Sequence, residues 1–431
     1  MSITTAEKIR ETRSVCPVCL KNIPASLTRE DGGRILLEKT CPAHGSFRVP
    51  IWQGKVDFEQ WLLETGPLAP GSGLSCPENC GICAEHEIGT CCALLEVTNR
   101  CNLRCRYCFA DGGSNNDEPS LDELKDAIRE IVRQCGKPLL QFSGGEPTLR
   151  DDLPELIRFA KEVGCSYTQV NTNGIRLARD PDYARQLAEA GLDIVFLQFD
   201  GTWDDIYKAL RGAALLETKL EAIRVCAERK LGVTLVSTVV KGINDGNLGE
   251  LVSLAVTLAP SVRGIHFQPV SFFGRYPGMP GEDDRYTLDR LMADISEQAK
   301  IPLESFMPSR CDHPLCGFHA SFLIEPDGRL KPMSSITHSS HRRGCELDNR
   351  EYVARHWRSV PEEPIPGESF SDEMDFDTFL YRLRHNSLTL SAMAFQDAMN
   401  LNIERLHSCS LHVYDRGKIK PFCAKYLSPI E

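Results

Sequence analysis

The sequence predicts an α/β protein whose core is a parallel sheet, either open or closed part-way into a (β/α)6 barrel. Three observations predict it. Six short apolar or β-branched runs recur between residues 93 and 270, amphipathic helical patterns separate them, and each run ends in polar or glycine residues. Strands that alternate with crossover helices run parallel, and the chemistry of such a sheet sits at its carboxyl ends.

In chain order the runs are "ALLEVT" (93–98), "LLQFSGG" (139–145), "YTQVNTNG" (167–174), "DIVFLQFDG" (193–201), "VTLVSTVV" (233–240) and "GIHFQPV" (264–270). The stretch "SLDELKDAIREIVRQC" shows how the intervening helices are written. Ser120 and Glu123 stand in capping-box spacing, and Leu121, Leu124, Ile128, Ile131 and Val132 form one apolar stripe. Ahead of the runs, "GGRILLEKTCPAHGSFRVPIW" has turn and strand character, and the Pro/Gly-rich "GPLAPGSGLSCP" (66–77) marks a boundary. The expected organisation is a Cys-rich module over 1–70, a short cysteine segment over 71–92, a barrel over 93–300 and a further cysteine-bearing domain over 301–431.

The chain has 431 residues, 42% hydrophobic and 25% charged, the composition of an ordinary globular protein. A formal charge of -11 argues against a nucleic-acid partner. The segment "MSITTAEKIRETRSVCPVCL" carries scattered charges and no apolar run, unlike a secretory signal, and no window approaches the roughly 20 apolar residues of a membrane helix. A cytoplasmic location is therefore expected, and the 19 cysteines read as reduced metal ligands rather than disulfides. Cys135, Cys165 and Cys226, isolated in the middle of the chain, read as buried structural thiols.

"CNLRCRYC" places Cys101, Cys105 and Cys108 in C-x3-C-x2-C spacing on the loop after the first run, with no fourth cysteine at a matching interval. A structural zinc ion takes four protein ligands. Three thiolates on a [4Fe-4S] cube leave one iron open to a substrate or cofactor. "SGGEP" ends the second run, with Gly144 and Gly145 permitting close backbone approach and Glu146 offering a carboxylate; "NTNG" with Asn171 and Asn173 ends the third, and "QFDG" with Asp200 the fourth.

Other cysteine groups flank this one. "CPENCGICAEHEIGTCC" supplies Cys76, Cys80 and Cys83 with Cys91 or Cys92 behind, enough to saturate a cube or to hold zinc. "CPVC" (Cys16, Cys19) and "CPAHG" (Cys41, His44) read as a knuckle pair for one Zn or Fe ion, with His44 or another cysteine as fourth ligand. "CDHPLC" (Cys311, Cys316), Cys409 and Cys423 either converge on one more cluster or are unpaired thiols. In "QPVSFFGR", Gln268, Ser271 and Arg275 stand at the end of the sixth run and are expected to face a substrate.

C-x3-C-x-aromatic-C, with Tyr107 as the aromatic, resembles the hallmark of the radical S-adenosylmethionine (radical SAM) superfamily, and "SGGEP" resembles its GGE motif. The order of the flanking pieces, from "CPVCL" to "KPFCA", is similar to the multi-cluster group that holds archaeal tetraether lipid synthase, dihydro-hydroxymethylpterin methyltransferases and the shorter bacterial TrsS-like proteins. That resemblance implies a partial radical SAM barrel between a rubredoxin-like or zinc-ribbon-like module and a C-terminal auxiliary-cluster domain. It implies a SAM-binding cluster on Cys101, Cys105 and Cys108, and SAM contacts from Tyr107, Phe109, Gly144, Gly145, Glu146, Asn171, Asn173 and Asp200. It implies two auxiliary [4Fe-4S] clusters, one on Cys76, Cys80, Cys83 and Cys91, the other on Cys311, Cys316, Cys409 and Cys423. A single metal would sit at Cys16, Cys19 and Cys41.

The activity so implied is reductive cleavage of SAM to a 5′-deoxyadenosyl radical, hydrogen abstraction from an unactivated carbon, and carbon–carbon bond formation by lipid-chain coupling or pterin-type methylation. A ferredoxin or flavodoxin would supply electrons, and a lipid substrate would bring peripheral membrane contact. The chain is short for a tetraether synthase, which weakens the lipid reading. The rivals are a radical SAM peptide maturase and, from another class, an iron-sulfur electron carrier without catalysis.

Overall fold

The computed structural model describes residues 7–63, 76–77, 81–83, 85–113, 118–278, 280–309, 312–333, 346–360 and 376–430, without the side chains of residues 346–349, 354 and 355. Cys80, Cys311, Cys345 and most of the Pro/Gly boundary at 66–77 lie outside the described residues.

Strands β1 (Glu7–Val15), β2 (Asn22–Arg29), β3 (Ile35–Cys41) and β4 (Gly45–Trp52) form an antiparallel four-stranded meander. The register closes two tight turns, with Val15 opposite Asn22 and Cys41 opposite Gly45. Those turns are the two sequence knuckles, so neighbouring hairpin tips carry the metal-ligand residues. Gly45 takes the left-handed conformation, φ 82°, that the second tip needs.

The six sequence runs become β5 (Cys92–Thr98), β6 (Leu139–Gly144), β7 (Tyr167–Thr172), β8 (Ile194–Gln198), β9 (Gly232–Val239) and β10 (Val262–Pro269), parallel and in sequence order. The helix Leu121–Cys135 opens with the expected capping box on Ser120 and Glu123 and buries Leu124, Ala127, Ile128 and Ile131. Burial on both faces, complete along β6, is what a parallel sheet wrapped by helices requires. Cys165 and Cys226 are buried, and burial pushes each thiol up to about 12; Cys135 is half-buried.

The remaining strands are β11 (Met307–Pro308), β12 (Gly317–Ile324), β13 (Leu330–Pro332), β14 (Ser387–Met393), β15 (Leu411–Asp415) and β16 (Lys418–Pro421). They extend the barrel sheet at both ends. β14 runs parallel to β10, from Gly264 opposite Thr389 to Phe267 opposite Ala392, and β12 adds antiparallel beyond it. β15 runs parallel to β5, with Leu411 opposite Cys92. A partial barrel leaves two strand edges with unpaired backbone groups, and the C-terminal residues satisfy both. Among the described residues no helix is long and apolar enough to cross a membrane.

The N-terminal sheet docks on this body through buried polar contacts. Ser14 Oγ donates to Leu401 O (2.5 Å), Lys39 Nζ to Ala398 O (2.8 Å), and Trp61 Nε1 to Pro314 O (3.0 Å). Fully buried Asp289 accepts from the backbone N–H of Gln53 (2.9 Å) and Lys55 (2.9 Å) just after β4. Replacing Asp289 by Ala strands those two amides. The expected result is a loss of about 2 kcal/mol in unfolding stability with native secondary structure retained, read by circular dichroism during thermal and denaturant unfolding.

Candidate functional site

Cys101, Cys105 and Cys108 sit on the loop that leaves the carboxyl end of β5, at one wall of a cavity of about 310 Å³ inside the barrel. Two contacts fix that loop. Gly145 N donates to Thr98 O (2.7 Å) and Glu146 N to Arg100 O (2.8 Å), so the loop lies against the turn after β6. A Cβ at Gly144 would stand 2.3 Å from Thr98 O, and one at Gly145 2.2 Å from Arg100 O, so both positions require glycine. From the other side Cys108 and Arg275 exchange backbone hydrogen bonds (3.0 and 2.9 Å), while the Arg275 guanidinium donates to Cys105 O (3.1 Å) and Gly112 O (2.9 Å). Arg275 is thus a clamp on the cysteine loop, whereas Gln268 and Ser271 do line the cavity.

The donor set fits a soft, incompletely ligated metal cluster. Burial pushes the Cys101 thiol up to about 11, with the charges of Glu146, Cys105 and Cys108 adding to it, so the three sulfurs lie close enough to act on one another, as the ligands of one iron centre would. Arg211 supplies positive charge there. Its guanidinium lines the cavity, where the charge of Cys105 acts on it, and is held bidentate by Asp200 at 2.6 Å through both Nε and Nη2.

The expected cofactor-binding residues divide into two sets. Tyr107, Phe109, Gly144, Gly145, Glu146, Asn171 and Asn173 all line the cavity. Within it, Glu146 already meets four protein donors: Thr148 N (3.1 Å), Thr148 Oγ1 (2.5 Å), Thr172 Oγ1 (2.6 Å) and Asn173 N (2.7 Å). It therefore ties the ends of β6 and β7 together. Asn173 Nδ2 reaches back to Asn102 Oδ1 (2.7 Å) in the cysteine loop. Asp200 is the exception: it is buried behind Arg211, also accepts from Gln198 and from Thr238 N, and does not line the cavity. The group presented to the cavity in its place is Arg211. Lys219, fully buried, donates to Asn173 O (2.5 Å) and Gln198 Oε1 (2.7 Å), and burial lowers it to about 7. Arg211 and Lys219 were not singled out in the sequence; each sits in an ordinary helical stretch, and only the fold brings it to the site.

At the N-terminal knuckles, Cys16, Cys19, Cys41 and His44 have ligand atoms all within 4.8 Å of one another, the one such group among the described residues. His44 Nδ1 lies 3.5 Å from Cys16 Sγ and 3.4 Å from Cys41 Sγ. Tetrahedral Zn–S and Zn–N bond lengths put such ligand atoms about 3.5 Å apart. The residues fit a Cys3His ion site, with His44 as the fourth ligand.

Of the cysteines expected around a first auxiliary cluster, Cys76 is buried with its sulfur 3.7 Å from His407 Nε2, Cys83 is exposed, and Cys91 is buried beside the start of β5. Both Cys91 and Cys92 line the cavity, and Cys92 donates to Gln141 Oε1 (3.1 Å). Of those expected around a second cluster, Cys316, Cys409 and Cys423 are gathered: burial raises all three thiols, and the charges of Cys316 and Cys423 each add to the shift at Cys409. Arg405 Nε donates to Cys316 Sγ (3.3 Å).

A sequence profile of the radical SAM superfamily matches residues 95–255, and one for the HMPTM N-terminal zinc ribbon domain matches residues 8–53. The 7,8-dihydro-6-hydroxymethylpterin dimethyltransferase of Methanocaldococcus jannaschii is 31% identical to the chain, over 96% of the chain and 92% of the relative. The PqqA peptide cyclase of Rhodopseudomonas palustris is 32% identical, over 62% of the chain and 73% of the relative. Among solved structures, SuiB of Streptococcus suis bound to precursor peptide SuiA matches with a TM-score of 0.40 at 15% identity, covering 50% of this chain and 48% of that one.

Substituting Cys41→Ser, or His44→Ala, should remove about one metal ion per chain, because each deletes a ligand from a four-ligand site. Metal analysis by plasma mass spectrometry checks this, and it names the ion as zinc or iron in the parent protein.

Proposed function

The chain belongs to the radical SAM superfamily and, within it, to the group of the 7,8-dihydro-6-hydroxymethylpterin dimethyltransferase, and from that membership we propose that it forms a carbon–carbon bond by methylating a pterin-type small molecule. The observation that carries this reading is the end-to-end match to that relative, 96% of this chain and 92% of the other. On this reading Cys101, Cys105 and Cys108 hold a [4Fe-4S] cluster with one open iron, which together with SAM supplies one-electron cleavage of SAM and hydrogen abstraction from an unactivated carbon.

The chain's own residues do the rest. Gly144 and Gly145 let the cysteine loop seat against the sheet, and Glu146 and Asn173 hold the neighbouring turns in place. Arg211, fixed by Asp200, presents its cation to an anionic group beside Cys105. Tyr107 and Phe109 cover the loop, with Phe109 packed on Phe422 and Tyr426 at centroid distances of 5.4 and 5.0 Å, and so exclude water.

We assign the mononuclear Zn or Fe to residues 1–70, a first auxiliary cluster to Cys76, Cys80, Cys83 and Cys91, the barrel to 93–300, and a second auxiliary cluster to Cys311, Cys316, Cys409 and Cys423. Electrons come from an external reductant of the ferredoxin or flavodoxin kind. The amide side chains on the cavity wall, among them Gln169 with a buried Oε1 that has no protein donor among the described residues, favour a ring with polar edges over an alkyl chain, which could not supply that donor.

Anaerobic reconstitution should load about thirteen irons and twelve sulfides per chain if three cubes and one iron are present. With dithionite, 6-hydroxymethyl-7,8-dihydropterin and excess SAM, one molecule consumed as radical source and a second giving up its methyl group to leave S-adenosylhomocysteine, mass spectrometry should then show 5′-deoxyadenosine, S-adenosylhomocysteine and a methylated pterin. Cys105→Ala should reduce 5′-deoxyadenosine and the methylated pterin to background. Production of 5′-deoxyadenosine by that variant would overturn the cluster assignment, and 5′-deoxyadenosine from the parent protein with unmodified pterin would overturn the substrate class.

A further inference from the structure

The cavity has a floor that the cysteine loop and its partners do not use. Gln141 on β6 and Gln169 on β7 are register partners on adjacent strands, both deeper in the sheet than Ser143 and Asn171. Gln169 is 2% exposed, yet its Oε1 has no hydrogen-bond partner, and its Nε2 makes only a long contact to Asn171 Oδ1 (3.5 Å). A buried amide oxygen without a donor has lost its water and gained nothing, and such an atom in a cavity wall marks where a ligand donor belongs. Gln141 is oriented the opposite way. Its Oε1 accepts from Cys92, which leaves its amide N–H2 with no acceptor among the described residues. Side by side, the pair offers one acceptor and one donor.

The neighbouring wall is aromatic. Phe196 on β8 lies 5.3 Å from Trp357 and 5.2 Å from His266 between ring centroids, and all three line the cavity. Trp357 Nε1 is buried with no acceptor, a second orphaned polar atom on the same wall. His266 Nδ1 bonds Ser391 Oγ (2.9 Å), and burial lowers the ring to about 4, so this wall is uncharged at neutral pH.

We propose that the cavity floor is a subsite for a flat, uncharged heteroaromatic ring with a lactam-type edge, where a ring C=O adjoins a ring N–H: Gln169 accepts from the N–H, Gln141 donates to the C=O, and Phe196 and Trp357 pack on the ring. Gln169 is then the residue that sets substrate specificity. This assignment rests on reading the barrel cavity as the substrate site.

The test is equilibrium binding to the reconstituted enzyme of two fluorescent rings, 6-hydroxymethylpterin and lumazine, with SAM binding measured in parallel. The parent protein, Gln169→Leu and Trp357→Phe are compared, the second substitution being mild enough to stand if the first fails to fold. Loss of one buried hydrogen bond should weaken the bound ring by about tenfold in Gln169→Leu, and Trp357→Phe should weaken it several-fold. Pterin binding that is unchanged in both variants, or variants that lose SAM and keep pterin, overturn the floor subsite and leave the pterin reading standing. Lumazine bound and lost in the variants, with no pterin bound by the parent, upholds the subsite and overturns the pterin reading. Binding of neither ring overturns both.

Discussion

The site depends on one close approach of backbone to backbone. The loop carrying Cys101, Cys105 and Cys108 can lie at the cavity mouth only because the turn after β6 has no side chain at Gly144 or Gly145, where Thr98 O and Arg100 O occupy the space of a Cβ. Once seated, the loop is held by two backbone bonds to that turn, by Asn173 through Asn102, and by Arg275 on its far side. Gly274 repeats the device there, since a Cβ on it would stand 2.3 Å from Cys108 O. Three sulfurs on an otherwise irregular loop are thereby placed by strand ends, which are the stiffest parts available.

The C-terminal residues have a structural reason to return to the barrel. A sheet of six parallel strands that does not close exposes the outer edges of β5 and β10, and each would be a template for unwanted pairing. β15 and β14 cover them. The same return brings Cys409, just before β15, and Cys423, just after β16, to Cys316, just before β12. The same chain segments thus serve both edge protection and the gathering of these distant cysteines.

Much of this could be read from the sequence, where the signal is local. All six barrel strands lie within three residues of their apolar runs, because a parallel strand buried on both faces is apolar along its length. The Ser120–Glu123 cap and the two knuckles are short-range patterns that folded as written. What the sequence left open is long-range. Nothing in "SLTLSAM" tells that it pairs with β10, and nothing near Arg211 tells that Asp200 turns it toward Cys105. Asp200 at a strand end looked like a ligand contact; the fold instead spends it on anchoring an arginine that the local pattern presents as an ordinary helix terminus. Trp357 likewise gains its place only when the helix Glu346–Trp357 closes the barrel floor.

Charge explains the arrangement of the cysteines better than spacing does. Thiolates brought together in a low-dielectric interior repel one another, and each expected iron-sulfur site carries one basic neighbour that offsets this: Arg211 at Cys105, His407 at Cys76, Arg405 at Cys316. At the N-terminal site a histidine, which can bind an ion while neutral, takes one of the four positions, and the buried Lys39 lies close enough for its charge to act on Cys16. Were clusters bound as proposed, a cation beside a ligand sulfur would favour the more negative, reduced state. The amide pair on β6 and β7, two aromatic rings and a histidine kept neutral by burial line one side of the cavity. The charged side chains that line it, Glu146, Arg211 and Asp312, are all engaged by protein partners, so a neutral ring can shed its water there without meeting an unpaired ion.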